Sequence, residues 1–276
     1  MTGSPEIEMI VGLLGEVPDD GAIEIIVSLL TTMEDAPLGE LVEHFSRAAS
    51  PVLKERLSLL KKLSDSRRRN CRIAEALQAD VVPLENITEL LADLHMVWFD
   101  KDDENELRTD MAEFFAAANA GSWDSLEDAE LFLRRCCILP EKETTIRPEL
   151  YNIGAIIENR CGAGSILALL ISAMFTAGCC RIVRVNGTFA VADDNGNILL
   201  MDHSLHRIKA GSGEFEVWSV RRMLNYIMLT MFSCAVNSDS YRYILITALI
   251  LLAGEPADIF RAFPHPYRGT AANENF

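Results

Sequence analysis

The sequence is poor in basic residues. Its 276 residues contain 25 lysines and arginines against 41 aspartates and glutamates, which gives a formal net charge of −16 at pH 7. A chain this acidic lacks the broad basic surface with which proteins bind the phosphates of nucleic acids or anionic membranes. We therefore expect no nucleic-acid partner.

Long hydrophobic runs are also absent. The apolar stretches at 165–177, 226–236 and 243–253 are shorter than the roughly 20 residues that a helix needs to cross a bilayer. They predict buried helices and no membrane partner. The first residues, "MTGSPEIEM", have no basic segment leading into an apolar one, so no signal peptide is expected.

Cysteine occurs in no metal-binding or redox spacing. The seven cysteines include two adjacent pairs but no C-x-x-C motif. This pattern indicates a reduced, cytoplasmic protein with buried thiols. We expect neither a cofactor nor a bound metal.

The charge is unevenly distributed along the chain. Residues 1–140 hold 28 acidic and 13 basic side chains, whereas residues 141–276 hold 13 and 12. The composition of the sequence changes near residues 80–83. We therefore predict an acidic, all-helical N-terminal region over 1–83 and a second domain over 84–276.

The first half of the sequence predicts successive helices. Pro51 suits a first helical position with Ser50 as N-cap, and Ser125 and Asp128 have the spacing of a capping box. The other predicted helices lie near residues 23–30, 37–49, 66–78, 85–98 and 104–118. Short helices are typical of helical-repeat proteins, but no fixed period connects them.

The second half predicts helices around a small sheet. Two helices are expected at 149–159 and 165–177, and two more at 217–236 and 240–253. Between them, "CCRIVRV", "TFAVAD" and "NILLMD" have the composition of strands. The Asn195-Gly196 pair predicts a hairpin in which both turn residues have positive φ. The predicted fold is α+β, predominantly helical, with a small antiparallel sheet.

Four segments resemble one family when they are taken in order. "ENRCGAGSILALL" at 158–170 is similar to a signature read roughly as Glu-Arg-Arg-x-Gly-Ile-Pro-Ile-Ser-Leu-Ala-x-Leu. "VNGTFAV" at 185–191 resembles a Gly-His-Phe segment, and "LLMD" at 199–202 resembles a strand ending in Asp. "RMLNYI" at 222–227 resembles an Arg-Met-Leu-Asn segment. Together they resemble the bacterial SirB-type branch of the transglutaminase-like superfamily.

The resemblance implies a transglutaminase-like, papain-like core but an incomplete catalytic triad. Active members use a Cys nucleophile, a His base and an orienting Asp. The nucleophile stands two residues after the signature glycine, which here is Gly162, so its position holds Gly164. The His position holds Thr188, and only Asp202 keeps its residue type. The resemblance thus implies a pseudoenzyme.

Other residues near these positions supply alternatives. Cys161 lies at a predicted helix start, where the helix dipole and Arg160 would lower its pKa. His203 or His206 would then act as base and Asp202 as orienter. Ser165 adjoins the lost nucleophile position, although we interpret it as the N-cap of the following helix.

Two charged clusters and the histidine pair are candidate binding sites. His203 and His206 match no established zinc spacing and lack a third ligand. "DKDDENE" at 100–106 fails the EF-hand pattern and is interpreted as a solvated turn between helices. "SRRRN" at 66–70 either pairs with nearby carboxylates or contacts an acidic patch on a partner.

Three functional hypotheses follow from the sequence. The leading one is a non-catalytic transglutaminase-like protein that binds an unknown protein, peptide or ligand as a regulator or scaffold. The alternative is an atypical hydrolase or acyltransferase that uses Cys161. A second alternative is an architectural helical-repeat protein. The sequence does not specify the partner or the oligomeric state.

Overall fold

The computed structural model describes residues 51–79, 81–83, 86–119, 122–141, 147–176, 179–209 and 215–252. Arg72–Leu252 forms one compact unit, and the rest of the chain is assigned to a second, of which only 51–71 is described. The helices predicted at 23–30 and 37–49, and the N-cap at Ser50, lie outside these ranges. The predicted division between 83 and 84 stays a prediction.

Four helices lead the described chain. They are α1 (Pro51–Gln78), α2 (Ile87–Trp98), α3 (Glu104–Ala117) and α4 (Leu126–Arg135). The sequence predicted separate helices on either side of residue 65, whereas α1 is continuous. No glycine or proline interrupts the chain between Val52 and Gln78, so nothing ends the helix there.

The helix start predicted at Ser125 is confirmed. The Ser125 hydroxyl accepts a hydrogen bond from the Asp128 backbone N–H at the start of α4. The acidic turn at 100–106 supplies the N-cap of α3, because the Asp103 carboxylate accepts from the backbone N–H groups of Asn105 and Glu106. The acidic cluster therefore stabilises a helix start, where negative charge is favourable.

The remaining elements of the described residues are seven short strands, four α-helices and one 3₁₀ helix. They run in the order β1 (Leu139–Glu141), a 3₁₀ helix (Pro148–Tyr151), α5 (Ile153–Asn159), β2 (Cys161–Ala163), α6 (Gly164–Met174), β3 (Cys180–Val185), β4 (Thr188–Asp193), β5 (Asn197–Leu200), β6 (Arg207–Lys209), β7 (Phe215–Trp218), α7 (Val220–Asn237) and α8 (Tyr241–Leu252). The predicted α+β class, with helices predominating around a small antiparallel sheet, is confirmed.

The main sheet has five strands in the order β6-β5-β4-β3-β7, and every neighbouring pair is antiparallel. β1 and β2 form a separate parallel pair. The sequence did not predict β6 or β7. The helix predicted from residue 217 begins only at Val220, since residues 215–218 pair with β3 instead.

The two hairpin turns of the sheet differ from the expectation. The Asn195-Gly196 pair does join two strands, but only Gly196, at φ 77°, has a positive φ. It belongs to a three-residue loop, 194–196, between β4 and β5. The turn in which both residues have positive φ is Asn186-Gly187, at 48° and 86°, between β3 and β4.

Helix α6 is the central element of the fold. Every residue of α6 except Ala173 is buried, and the helix packs against β3 and β4 on one side and α2 and α7 on others. A helix that is apolar all round must be enclosed by other elements. This enclosure holds the start of α6 beside β1 and the sheet. No described helix is long and apolar enough to span a membrane.

Candidate functional site

A cavity of about 540 Å³ opens where the start of α6 meets the sheet and α7. The three positions that the family resemblance assigns to a Cys-His-Asp triad all line it, although 38 residues of sequence separate the first from the last. The lining residues are Glu141, Gly164, Arg184, Gly187, Thr188, Phe189, Met201, Asp202, His203 and Tyr226.

Gly164 is the first residue of α6, and it closely approaches the chain that follows β5. A Cβ atom built on Gly164 would lie 2.6 Å from the carbonyl oxygen of Met201. The space for a side chain at this position is therefore filled by backbone. Ser165 is not the predicted N-cap, because the helix begins one residue earlier with Ala163 as N-cap, and Ser165 is fully buried.

Asp202 organises the turn that follows β5. Its Oδ1 accepts hydrogen bonds from the backbone N–H of Ser204 (3.0 Å) and from the Ser204 hydroxyl (2.6 Å). Burial alone would raise the pKa of Asp202, but these hydrogen bonds and the nearby His206 and His203 lower it overall. Asp202 is therefore a carboxylate near neutral pH, already engaged within its own turn.

The two candidate histidines are placed differently. His203 lines the cavity, whereas the Nδ1 atom of His206 lies 2.6 Å from the Ser204 hydroxyl and 3.4 Å from Asp202 Oδ1. Across the described ranges, no three His, Cys, Asp or Glu side chains are grouped so that they could hold a metal ion.

Cys161 lies on β2 in an environment that opposes thiolate formation. Its Sγ donates a hydrogen bond to Oε2 of Glu141 at 3.0 Å, while Arg147 donates to the other oxygen at 2.7 Å. Burial, followed by the Glu141 carboxylate, raises the pKa of Cys161 to about 11. The sequence predicted a lowered pKa. Arg160 is the C-cap of α5, and the smaller effect that lowers the pKa of Cys161 comes from Arg147 instead.

The sequence did not indicate Arg184, whose positively charged side chain lines the cavity. Its guanidinium lies 5.2 Å from the ring centre of Phe189 and 5.5 Å from that of Trp218, and Nε donates to the Gly187 carbonyl oxygen at 3.2 Å. The ring of Tyr226 on α7 lies 5.0 Å from that of Phe189. The available sequence signal was that Arg184 interrupts the apolar residues of "CCRIVRV", two positions before the Asn186-Gly187 turn.

A second, larger cavity of about 980 Å³ contains a buried histidine. The His95 side chain is 4% exposed, and its Nε2 lies 2.9 Å from Oδ2 of Asp102. Burial lowers the pKa of His95 more than Asp102 raises it. The imidazole occupies the space beside Gly154, where a Cβ would lie 2.6 Å from the His95 ring. Six carboxylates share this cavity: Asp102, Asp103, Glu106, Asp110, Glu113 and Glu158.

Comparison with other proteins gives no assignment of the chain. It has no significant match among protein-family models, curated proteins or solved structures. The similarity to the transglutaminase-like superfamily therefore rests on the four sequence segments alone.

Proposed function

We propose that this chain is a non-catalytic, transglutaminase-like binding protein, whose cavity at the degenerate triad positions holds a ligand or a peptide segment. It would act as a regulator or scaffold. The absence of disulfides among its seven cysteines supports a reducing, cytoplasmic setting. The bacterial SirB-type assignment is part of the same proposal.

One observation carries the proposal. Gly164, Thr188 and Asp202 line a single cavity of about 540 Å³, as side chains of a triad would. Gly164 has no side chain to act as nucleophile, however, and the Thr188 hydroxyl cannot accept a proton near neutral pH as the His base would. A volume of this size lies within the range of about 300–1,000 Å³ that is typical of ligand pockets. The site is thus suited to binding rather than turnover.

The geometry disfavours the alternative thiol enzyme. Such an enzyme needs a low-pKa thiol with an imidazole partner. Cys161 instead donates to Glu141, and its pKa is raised to about 11. His206 is engaged with Ser204. A purely architectural helical protein, the second alternative, gives no reason for polar side chains to converge on a cavity.

The proposal is tested by ligand screening on the full chain with ¹³C-methyl-labelled methionine. The signal of Met201, which lines the cavity, is assigned with Met201→Leu. Mixtures of anionic, cationic and neutral fragments, followed by short peptides, are then titrated. We expect at least one class to shift the Met201 signal in a saturable way while intact mass shows no acyl adduct on Cys161.

The matched variants are Thr188→Phe, which fills the cavity, and Thr109→Phe, which places the same ring on the exposed side of α3. The first should abolish the shift and the second should leave it unchanged. If no fragment or peptide class shifts Met201, the binding proposal is wrong. A stoichiometric adduct on Cys161 would favour the thiol enzyme instead.

A further inference from the structure

The carboxylates around the cavity already have partners within the protein. Glu141 accepts from Arg147 and Cys161, and Asp202 accepts from Ser204. Each carboxylate thus already accepts two hydrogen bonds from protein donors. A cationic ligand would have to compete with these donors for the carboxylate oxygens.

Arg184 is in the opposite situation. Across the β3–β7 pairing it faces Glu216, but the two oxygens of Glu216 accept from Trp218 Nε1 (2.9 Å) and from Arg222 (2.5 Å). Arg184 forms no ion pair within the described part of the chain. Its hydrogen-bond and ring contacts are the Gly187 carbonyl oxygen and the rings of Phe189 and Trp218, and its positive charge interacts with the Glu216 carboxylate beyond ion-pair distance.

These contacts leave the two terminal nitrogens of the Arg184 guanidinium available for a ligand. The hydrogen bond to Gly187 uses Nε, so both terminal nitrogens keep their donors. The two aromatic rings restrict the guanidinium plane, which lowers the entropy lost when it binds a ligand. A guanidinium held in this way matches a carboxylate through two parallel hydrogen bonds.

Apart from Arg184, the Glu141 and Asp202 carboxylates and His203, the wall of the cavity is apolar or uncharged. Phe189, Met201 and Tyr226 supply apolar surface, and Thr188 supplies a hydroxyl. The start of α6 at Gly164 adds the positive end of a helix dipole. A ligand that satisfies all of these groups carries a negative charge beside an apolar group.

We propose that the cavity recognises a carboxylate adjoining an apolar group, with Arg184 as the residue that binds the carboxylate. This inference rests on the proposed binding function and adds the chemical class of the ligand. Two sources supply such a group: a small organic acid, or the free C-terminus of a peptide ending in an apolar residue.

The test compares N-acetylphenylalanine with its primary amide on the wild-type chain. The two compounds differ only in the carboxylate, and binding is followed at the Met201 methyl signal. Because hydrogen bonds between charged groups are strong, the acid should bind at least about tenfold more tightly than the amide. Equal affinities would overturn the inference, and this comparison needs no variant.

Arg184→Gln identifies the residue that binds the carboxylate. It should weaken binding of the acid at least about tenfold and leave the amide nearly unaffected. Arg184→Lys keeps the positive charge but loses the planar guanidinium that forms two parallel hydrogen bonds. Its affinity for the acid should therefore lie between those of the wild type and Arg184→Gln. The control is Arg181→Gln on the same strand, where the arginine is 61% exposed and pairs with Asp194. Unchanged acid binding by Arg184→Gln would overturn the assignment.

The outcomes separate this inference from the proposed function. If the Met201 signal shifts in a saturable way with the amide or with a cationic fragment but not with the acid, the proposed binding function is supported and carboxylate recognition is refuted. Absence of any shift would refute both. 3-Phenylpropionate, which lacks the peptide bond, distinguishes the sources: binding equal to that of N-acetylphenylalanine indicates a small acid, and much weaker binding indicates a peptide terminus.

Discussion

The carbonyl oxygen of Met201 lies 2.6 Å from the point at which a Cβ atom on Gly164 would stand. The chain leaving β5 therefore fills the space that a side chain at the first position of α6 would need. A nucleophile cannot be restored at this position by substitution alone, because the obstructing atom belongs to the backbone and has no rotamer to change.

Replacing Gly164 should destabilise the protein despite the better helix propensity of alanine. We expect Gly164→Ala to lower the free energy of unfolding by about 1–3 kcal/mol, since the methyl group forces the backbone near Met201 to move. Chemical denaturation followed by far-UV circular dichroism measures the change.

The matched control is Gly187→Asn, at a position with φ 86° and no atom within 4 Å of an added Cβ. Asparagine tolerates positive φ, so this variant should lose much less stability. A Gly164→Ala protein as stable as wild type would show that the close approach does not exist in solution.

The Cys161 thiol should react slowly with iodoacetamide at neutral pH. Burial and the Glu141 carboxylate raise its pKa to about 11, so its alkylation rate should rise only in strongly alkaline solution. Site-resolved mass spectrometry across pH gives the midpoint, and the exposed Cys137 serves as an internal reference for the reagent.

Glu141→Gln should move this midpoint to lower pH, because it removes the negative charge and the carboxylate acceptor while burial remains. A wild-type midpoint below the ordinary cysteine value of about 8.5 would instead revive the thiol-enzyme hypothesis.

An ion pair between a half-buried arginine and a buried carboxylate joins α1 to α2. The Asp93 side chain has no exposed surface and accepts from Arg72 at 2.8 and 2.6 Å. Arg72→Gln should cost up to about 3 kcal/mol of unfolding free energy at pH 7, because the buried Asp93 carboxylate loses a two-point, charge-assisted pairing. Thermal and urea denaturation measure this loss.

Arg181→Gln is the comparison for that variant. Its ion pair with Asp194 leaves both side chains about 60% exposed, so the expected loss is no more than about 1 kcal/mol. Equal losses for the two variants would contradict the difference in burial between the pairs.

His95 should make the stability depend on pH in the mildly acidic range. Its pKa in the folded state is lowered by burial, which outweighs the contact with Asp102. The unfolded chain therefore binds a proton more readily, and stability should fall as pH drops below about 6.5 and continue to fall until the folded-state pKa is reached.

Nuclear magnetic resonance titration of the His95 imidazole tests this directly. The midpoint should lie below about 6.5. His95→Gln should flatten the pH dependence of the melting temperature between neutral pH and that midpoint. A midpoint above the ordinary value would mean that Asp102 dominates over burial.

Much of the secondary structure could be predicted from local signals. The capping pair Ser125 and Asp128, the long apolar run of α6 and the alternating segments of β3 to β5 each carry their own pattern. β6 and β7 could not be predicted in this way. Each has three or four residues and becomes a strand only through pairing with a neighbour.

The residues of the candidate site likewise fall into those that local sequence motifs indicated and those that depend on tertiary contacts. Sequence motifs pointed to Gly164, Thr188, Asp202 and His203, which line one cavity. The same motifs gave no sign of Arg184, of the Glu141 contact to Cys161, or of His95 with Asp102, because these relationships join residues that are distant in sequence or depend on burial.

The sequence by itself determined the acidic character of the chain, the α+β class and the presence of glycine at position 164 and threonine at position 188. These properties follow from composition, periodicity and residue type, which are local. Only the tertiary structure decided that the Gly164 position is filled by the Met201 carbonyl, that Cys161 faces a carboxylate and that Arg184 makes no ion pair within the described residues. Contacts of this kind depend on how separate elements pack, and packing sets both the space and the charge around each group.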